Sequence, residues 1–319
     1  MPVVQLEHVR KAYDTKIAVN DMSFQIEPGT MFGLLGPNGS GKTSSIRMMI
    51  GITVPDSGTV RLFDQPFNRS QLKRVGYLPE ERGLYKKMKV IDQLVFLGQL
   101  HGLDATTASK RAHLWCERLE ITEAIPKKTE ELSKGMQQKI QFIAALLHEP
   151  DLIIMDEPFS GLDPVNATLL QDTLVELRGK GKAVLFSTHR MDQAEKLCDS
   201  IVLMAGGNLV LSGTMREVKS RYPRNRIQMV FEGDDTFLQH PSVEYAKNYS
   251  GHAEIKLRSP ESMGQADGSP DAQPLLAEAV ARGARISRFE VMEPTLEEIF
   301  IEQVGTRTPD NPAGGTVHA

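Results

Sequence analysis

A chain of 319 residues is long enough for about two domains. Its 40% apolar and 24% charged content is ordinary for a globular protein, and a net charge of −4 gives no bulk attraction for nucleic acid. No apolar run reaches the ~18 residues of a membrane-spanning helix, and the start Met1-Pro2-Val3-Val4-Gln5-Leu6-Glu7 lacks the basic segment and apolar core of a signal peptide.

Residues 3–27 alternate apolar and polar through Val4, Leu6, Val9, Ile17, Val19, Met22, Phe24 and Ile26. That period predicts antiparallel strands with one buried face. Tyr13 falls in the turn between the first strands, either as an adenine-stacking ring or as an ordinary half-buried tyrosine. Pro28-Gly29 turns into the apolar strand Met31–Leu35, and Ser44–Ile50 reads as a helix.

Between that strand and that helix lies Gly36-Pro37-Asn38-Gly39-Ser40-Gly41-Lys42-Thr43. This is the phosphate-loop pattern in the strand–loop–helix context it requires. Glycines let the backbone approach a phosphate, and successive N–H groups plus a helix N-terminus make an anion cradle. Lys42 reaches the β- and γ-phosphates of a nucleoside triphosphate, and the Thr43 hydroxyl ligates Mg²⁺.

Residues 51–70 are turn-rich around a short strand Thr59–Phe63, and Val75–Gly83 is a strand ending in a loop. Residues 89–145 have helical spacing, with Val90, Leu94, Leu97 and Leu100 on one stripe and Leu114 and Leu119 around Trp115, broken at Pro126. Ser133 suits an N-cap ahead of the apolar helix Ile140–Leu147. Leu152–Met155 then delivers Asp156 and Glu157 at the end of a buried parallel strand. Residues 165–178 form a helix, Ala183–His189 a second buried strand, and Ile201–Gly213 a hairpin around Gly206-Gly207-Asn208. Cys116 and Cys198 have neither metal nor redox spacing and read as packing residues of a reducing cytosol, and there is no internal repeat.

A bound Mg²⁺–triphosphate needs a metal-side carboxylate, a water activator and a γ-phosphate sensor. Asp156 suits the first, Glu157 the second and His189 the third. At this point the chain resembles the ATP-binding cassette (ABC) ATPases over roughly residues 1–215. The resemblance rests on Tyr13 (adenine-stacking loop), residues 36–43 with Ser44 following (Walker A) and Tyr77–Glu80 (Q-loop). It continues through residues 132–136 (signature), Leu152–Glu157 (Walker B), Ser160–Asp163 (D-loop) and His189 (switch histidine).

It implies an α/β P-loop NTPase with a RecA-like core, an antiparallel β-subdomain and a helical subdomain over about 86–150, all within residues 1–213. It implies ATP and Mg²⁺, with Thr43, Glu80 and Asp156 on the metal side. It also implies a head-to-tail dimer, read as a homodimer, in which Ser133, Lys134, Gly135 and Met136 of one subunit close over ATP on the other, with Asp163 in the D-loop. Two positions depart from the family pattern. Glu80 replaces the Q-loop glutamine, and Leu-Ser-Lys-Gly-Met replaces Leu-Ser-Gly-Gly-Gln, which bears on geometry and turnover rate.

Residues 214–305 predict a small α+β domain. A helix starts at Thr214–Lys219, and strands follow at Ile227–Phe231, Val243–Tyr249, His252–Leu257 and Ile286–Val291. Leu275–Ala281 and Thr295–Val304 are helical, the latter with a Thr295–Glu298 capping box. Residues 258–274 read as a loop and 306–319 as a disordered tail.

Glu293–Phe300 resembles the C-terminal accessory domain of ABC-2 type exporter ATPases, and Tyr77–Tyr85 resembles a stretch of the same subgroup. The resemblance therefore implies a cytoplasmic ATPase docked on a separate multi-span permease, its groove near Glu80–Lys89. Lys86, Lys87 and Lys89 stand there either as contacts or as solvated charge. The second reading is a non-transport ABC ATPase of translation or DNA repair, which would carry two cassettes or a coiled-coil insertion; neither is found. A regulatory module with little turnover is the third, and the intact Glu157 and His189 argue against it.

Overall fold

The structure, a computed structural model, describes residues 1–81, 83–258 and 271–305. It contains one compact unit, Met1–Met215, and a second that begins at Arg216.

The first unit is built on a ten-stranded sheet. Its strands are β1 Val4–Tyr13, β2 Lys16–Ile26, β3 Met31–Leu35, β4 Ser57–Leu62, β5 Gln65–Pro66, β6 Val75–Leu78, β7 Leu152–Asp156, β8 Ala183–Thr188, β9 Ser200–Ala205 and β10 Asn208–Thr214, in spatial order β5-β4-β1-β2-β10-β9-β3-β8-β7-β6. The central strands β9, β3, β8, β7 and β6 run parallel. β3, β7 and β8 are buried at every residue, as continuous apolar runs demand when both faces of a sheet are covered. The β1–β2 and β1–β4 pairs are antiparallel and make the β-subdomain. Strand direction therefore puts the ends of β3, β7 and β8 at one edge, where ligands bind in open α/β sheets.

The helices of this unit are α1 Lys42–Met49, α2 Val90–Leu100, α3 Ala105–Arg118, α4 Lys134–Leu146, α5 Pro164–Gly179 and α6 Met191–Leu197. The leucine stripe expected over residues 89–145 is only half right. Val90 and Leu94 are buried, but Leu100 is 65% and Leu114 56% exposed. The inward face of α3 is instead Ala108, Ala112 and Cys116, all fully buried. A Cβ on Gly98 would lie 2.9 Å from both Ala108 Cβ and Leu147 Cδ2, so α2 and α3 approach too closely for leucines between them. The helix after the phosphate loop begins earlier than expected, at Lys42, and α4 begins at Lys134, behind the expected Ser133 cap, and runs through the apolar stretch from Ile140.

Helix α7 (Met215–Ser220) leads into the second unit, with strands β11 Arg226–Glu232, β12 Val243–Tyr249, β13 His252–Leu257 and β14 Arg285–Met292, and helices α8 Gln273–Ala281 and α9 Leu296–Gly305. The four strands form an antiparallel sheet in the order β12-β13-β11-β14. Alternate residues Ile227, Met229 and Phe231 join Phe237, Ile255, Leu257, Leu275 and Ala279 in a core of their own. The predicted capping box of α9 forms: Glu298 N donates to Thr295 Oγ1 at 3.3 Å, and Thr295 N to Glu298 Oε2 at 3.1 Å. The segment 259–270 of the expected loop, and the expected tail 306–319, lie outside the described residues.

Candidate nucleotide-binding site

The phosphate loop leaves β3 and enters α1 with its backbone packed hard against neighbours. Gly36 has φ 146°, and a Cβ there would meet Met204 O at 2.2 Å; Gly41 has φ 110°, and its Cβ would meet Ala18 O at 2.2 Å. Only glycine satisfies both the conformation and the space. The ends of β9 and β2 thus buttress the loop from below, a role for Met204 and Ala18 that no motif announces.

Lys42 is 6% exposed and donates to Gly36 O at 2.7 Å and Pro37 O at 3.2 Å. Burial holds its pKa below the usual lysine value, and the negative charges of Glu157, Asp156 and Glu80 work against that shift. The Ser40 hydroxyl is buried with no partner among the described residues. A buried cation on backbone carbonyls, beside an orphaned hydroxyl, suits an incoming anion.

Opposite the loop, β7 ends in Asp156, which is 1% exposed. Thr43 Oγ1 donates to Asp156 Oδ2 at 2.8 Å, and Ser187 of β8 donates to Oδ1. Ser187 was missed by motif reasoning, although a hydroxyl inside an apolar strand was its signal. Glu157 leaves the strand with φ 50°, a left-handed conformation uncommon outside glycine, and donates its N–H to Ser187 O at 3.2 Å. Its carboxylate receives the His189 backbone N–H at 3.0 Å and the His189 Nδ1–H at 2.9 Å, with the Thr188 hydroxyl at 3.3 Å. A carboxylate only accepts, so the pairing selects the Nδ1–H tautomer of His189.

These elements enclose a cavity of about 490 Å³ lined by Tyr13, Lys16, Ala18, Asn38, Gly39, Gly41, Lys42, Thr43, Ser44, Glu80, Asp156 and Glu157. Tyr13 is 43% exposed at its rim, cross-strand from Lys16, which sequence reasoning also missed. Ser133, Lys134, Gly135, Met136 and Asp163 do not line this cavity. Ser133 Oγ caps α4 by accepting from Met136 N at 3.2 Å, and Asp163 caps α5 by accepting from Asn166 N at 3.0 Å.

The sequence matches the ABC transporter family model over residues 19–160 and the model of the ATP-binding protein DrrA1-3-like C-terminal domain over residues 213–304. An uncharacterized ABC transporter ATP-binding protein, YhaQ of Bacillus subtilis, is 40% identical over 95% of the chain and 99% of its own length. The chain belongs to the ATP-binding proteins of ABC transporters. The linearmycin resistance ATP-binding protein LnrL of Bacillus subtilis is 33% identical to this cassette over 97% of the chain and 100% of its own length. A solved ATP-binding subunit of an ABC transporter superposes with TM-score 0.64 at 28% identity, covering 69% of the chain and 92% of that structure. The cassette is thus an α/β P-loop ATPase, a subunit that binds and hydrolyses ATP and works with a separate permease. No described helix is long and apolar enough to cross a membrane.

Proposed function

We propose that this chain energises an ABC-2 type exporter from the cytoplasmic face of the membrane, by closing and reopening a head-to-tail dimer around two ATP molecules. The observation that carries the reading is the convergence of Lys42, Thr43, Asp156 and Glu157 on one 490 Å³ cavity. The full-length likeness to LnrL, a protein named for linearmycin resistance, supports an efflux role.

In this reading Tyr13 stacks on the adenine, and the N–H groups from Gly36 to Ser44 hold the phosphates with Lys42. Thr43 Oγ1 and Asp156 Oδ2, hard oxygen donors 2.8 Å apart beside the phosphate cradle, fit Mg²⁺, with Glu80 near enough to line the same space. The ion, when bound, neutralises charge on the β- and γ-phosphates. Glu157 takes the proton of the attacking water, and His189, turned from Glu157, hydrogen-bonds the γ-phosphate. Ser133, Lys134, Gly135 and Met136 do not line their own chain's cavity. In this reading a second subunit supplies them, with Asp163 beside them in the D-loop. Ordering both partners around ATP links nucleotide state to dimer state.

The permease docks in a groove of about 370 Å³ lined largely by apolar groups, including Ile52, Leu72, Tyr77, Pro79, Leu84 and Leu97. Glu157→Gln tests the scheme. Hydrolysis falls by about 10²–10⁴-fold, the range of a positioned general base, and ATP traps a dimer on size-exclusion chromatography. Rapid turnover in that variant removes Glu157 from the proposed role.

A further inference from the structure

Five lysines meet on one short ribbon of the helical subdomain. Residues 86–90 pair antiparallel with 127–130: Glu130 N donates to Lys86 O at 3.0 Å, Thr129 N to Met88 O at 3.2 Å and Val90 N to Lys127 O at 2.9 Å. Lys89 stands opposite Lys128. Lys86, Lys87, Lys89, Lys127 and Lys128 are all exposed. None makes a salt bridge among the described residues, whereas Lys11 and Lys180 are held by Asp56 and Glu176. Two glutamates share the ribbon, and Glu131 is turned onto the Lys128 N–H at 2.6 Å. The chain as a whole is at −4, so this density of free positive charge is local.

The patch is not purely charged. Tyr85, 54% exposed, adjoins Lys86 and stacks edge-on against Phe96, 38% exposed, with ring centroids 6.0 Å apart. Leu84, the residue before it, lines the apolar groove. Aromatic rings beside lysines on flexible stems are the combination that sits well at a lipid headgroup layer.

We infer that the ribbon of Lys86, Lys87, Lys89, Lys127 and Lys128 is a docking surface for anionic phospholipid headgroups, beside the groove that takes the permease. The orientation of the patch toward the bilayer rests on the reading of that groove; the charge contact itself does not.

The test is sedimentation of the purified full-length chain with vesicles that contain no permease. The chain co-sediments with phosphatidylcholine vesicles doped with phosphatidylglycerol, not with phosphatidylcholine alone, and high salt releases it. Each lysine at such a surface contributes about fivefold to partitioning, so Lys127→Gln with Lys128→Gln lowers vesicle affinity by roughly 25-fold. Lys180→Gln leaves it unchanged. ATP affinity stays at the wild-type value in every variant, which reports an intact fold. Equal sedimentation with neutral and anionic vesicles, or undiminished binding by the double variant, overturns the inference. So does binding to a DNA duplex without binding to vesicles. Because no permease is present, failure here leaves the exporter reading standing, and failure of the permease to co-purify leaves this one standing.

Discussion

Lys42 ties the phosphate loop to itself. Its ammonium group bridges the carbonyls of Gly36 and Pro37 in a buried setting that holds its pKa down. A triphosphate replaces carbonyl partners with full negative charges, a charge-assisted contact roughly twice as strong as a neutral one. Lys42→Ala is therefore expected to weaken ATP binding by about 10²-fold, the equivalent of about 3 kcal/mol, read by titration calorimetry. Unchanged affinity would contradict the reading of the loop. Glu157 and His189 are the other residues whose partners must change. Their mutual hydrogen bonds at 2.9 and 3.0 Å occupy the carboxylate that the proposal assigns to water. His189→Ala frees Glu157 but removes the γ-phosphate contact proposed for it, so hydrolysis is expected to fall by about 10²-fold while ATP affinity changes little. A loss of ATP affinity equal to the loss of rate would place His189 in ground-state binding instead.

Helices α2 and α3 are held by what their facing surfaces lack. Gly98 against Ala108 brings the two backbones close, and no side chain larger than hydrogen fits at Gly98. Gly98→Val overpacks this contact by about 2–3 kcal/mol, a fall of roughly 5–10 °C in Tm for a domain of this size, measured by thermal denaturation. An unchanged Tm would mean that the helices separate at no cost. Beyond the end of α4, His148 stacks on His101 with ring centroids 3.8 Å apart and donates from Nε2 to Val75 O at 3.1 Å. Burial, with help from His101, lowers the His148 pKa to about 4. A histidine kept neutral in the fold gives up its proton to solvent on folding and takes one up on unfolding. Its contribution is thus fully present above about pH 6.5 and is lost as pH falls toward 4. Stability measured by urea unfolding falls between pH 7 and pH 5, and His148→Asn flattens that slope. A slope that survives the substitution would assign the pH dependence to other groups, with His101 the next to examine because burial lowers its pKa as well.

At the scale of the whole chain, the cassette and the C-terminal unit each close a core of their own. Much of this was legible in the sequence, because the phosphate loop, the Asp156-Glu157 pair and His189 are local patterns whose chemistry depends on adjacency. Strand order put them at one edge, as the apolar runs before them implied. What stayed hidden was long-range or carried no pattern. Alanines give no stripe to read, so Ala108 and Ala112 went unseen beneath Leu114, and only Cys116 of that face read as a packing residue. Met204 and Ala18 act through backbone carbonyls, which any residue supplies. Lys127 and Lys128 join Lys86, Lys87 and Lys89 only when two distant segments pair.

The central claim is that this ATPase drives a separate membrane permease. Affinity purification of the tagged chain from gently detergent-solubilised cells tests it most directly. The account predicts that a multi-span membrane protein co-purifies and that its complex hydrolyses ATP unless the chain carries Glu157→Gln. Recovery of ribosomal or DNA-repair proteins, with no membrane protein among them, would contradict it.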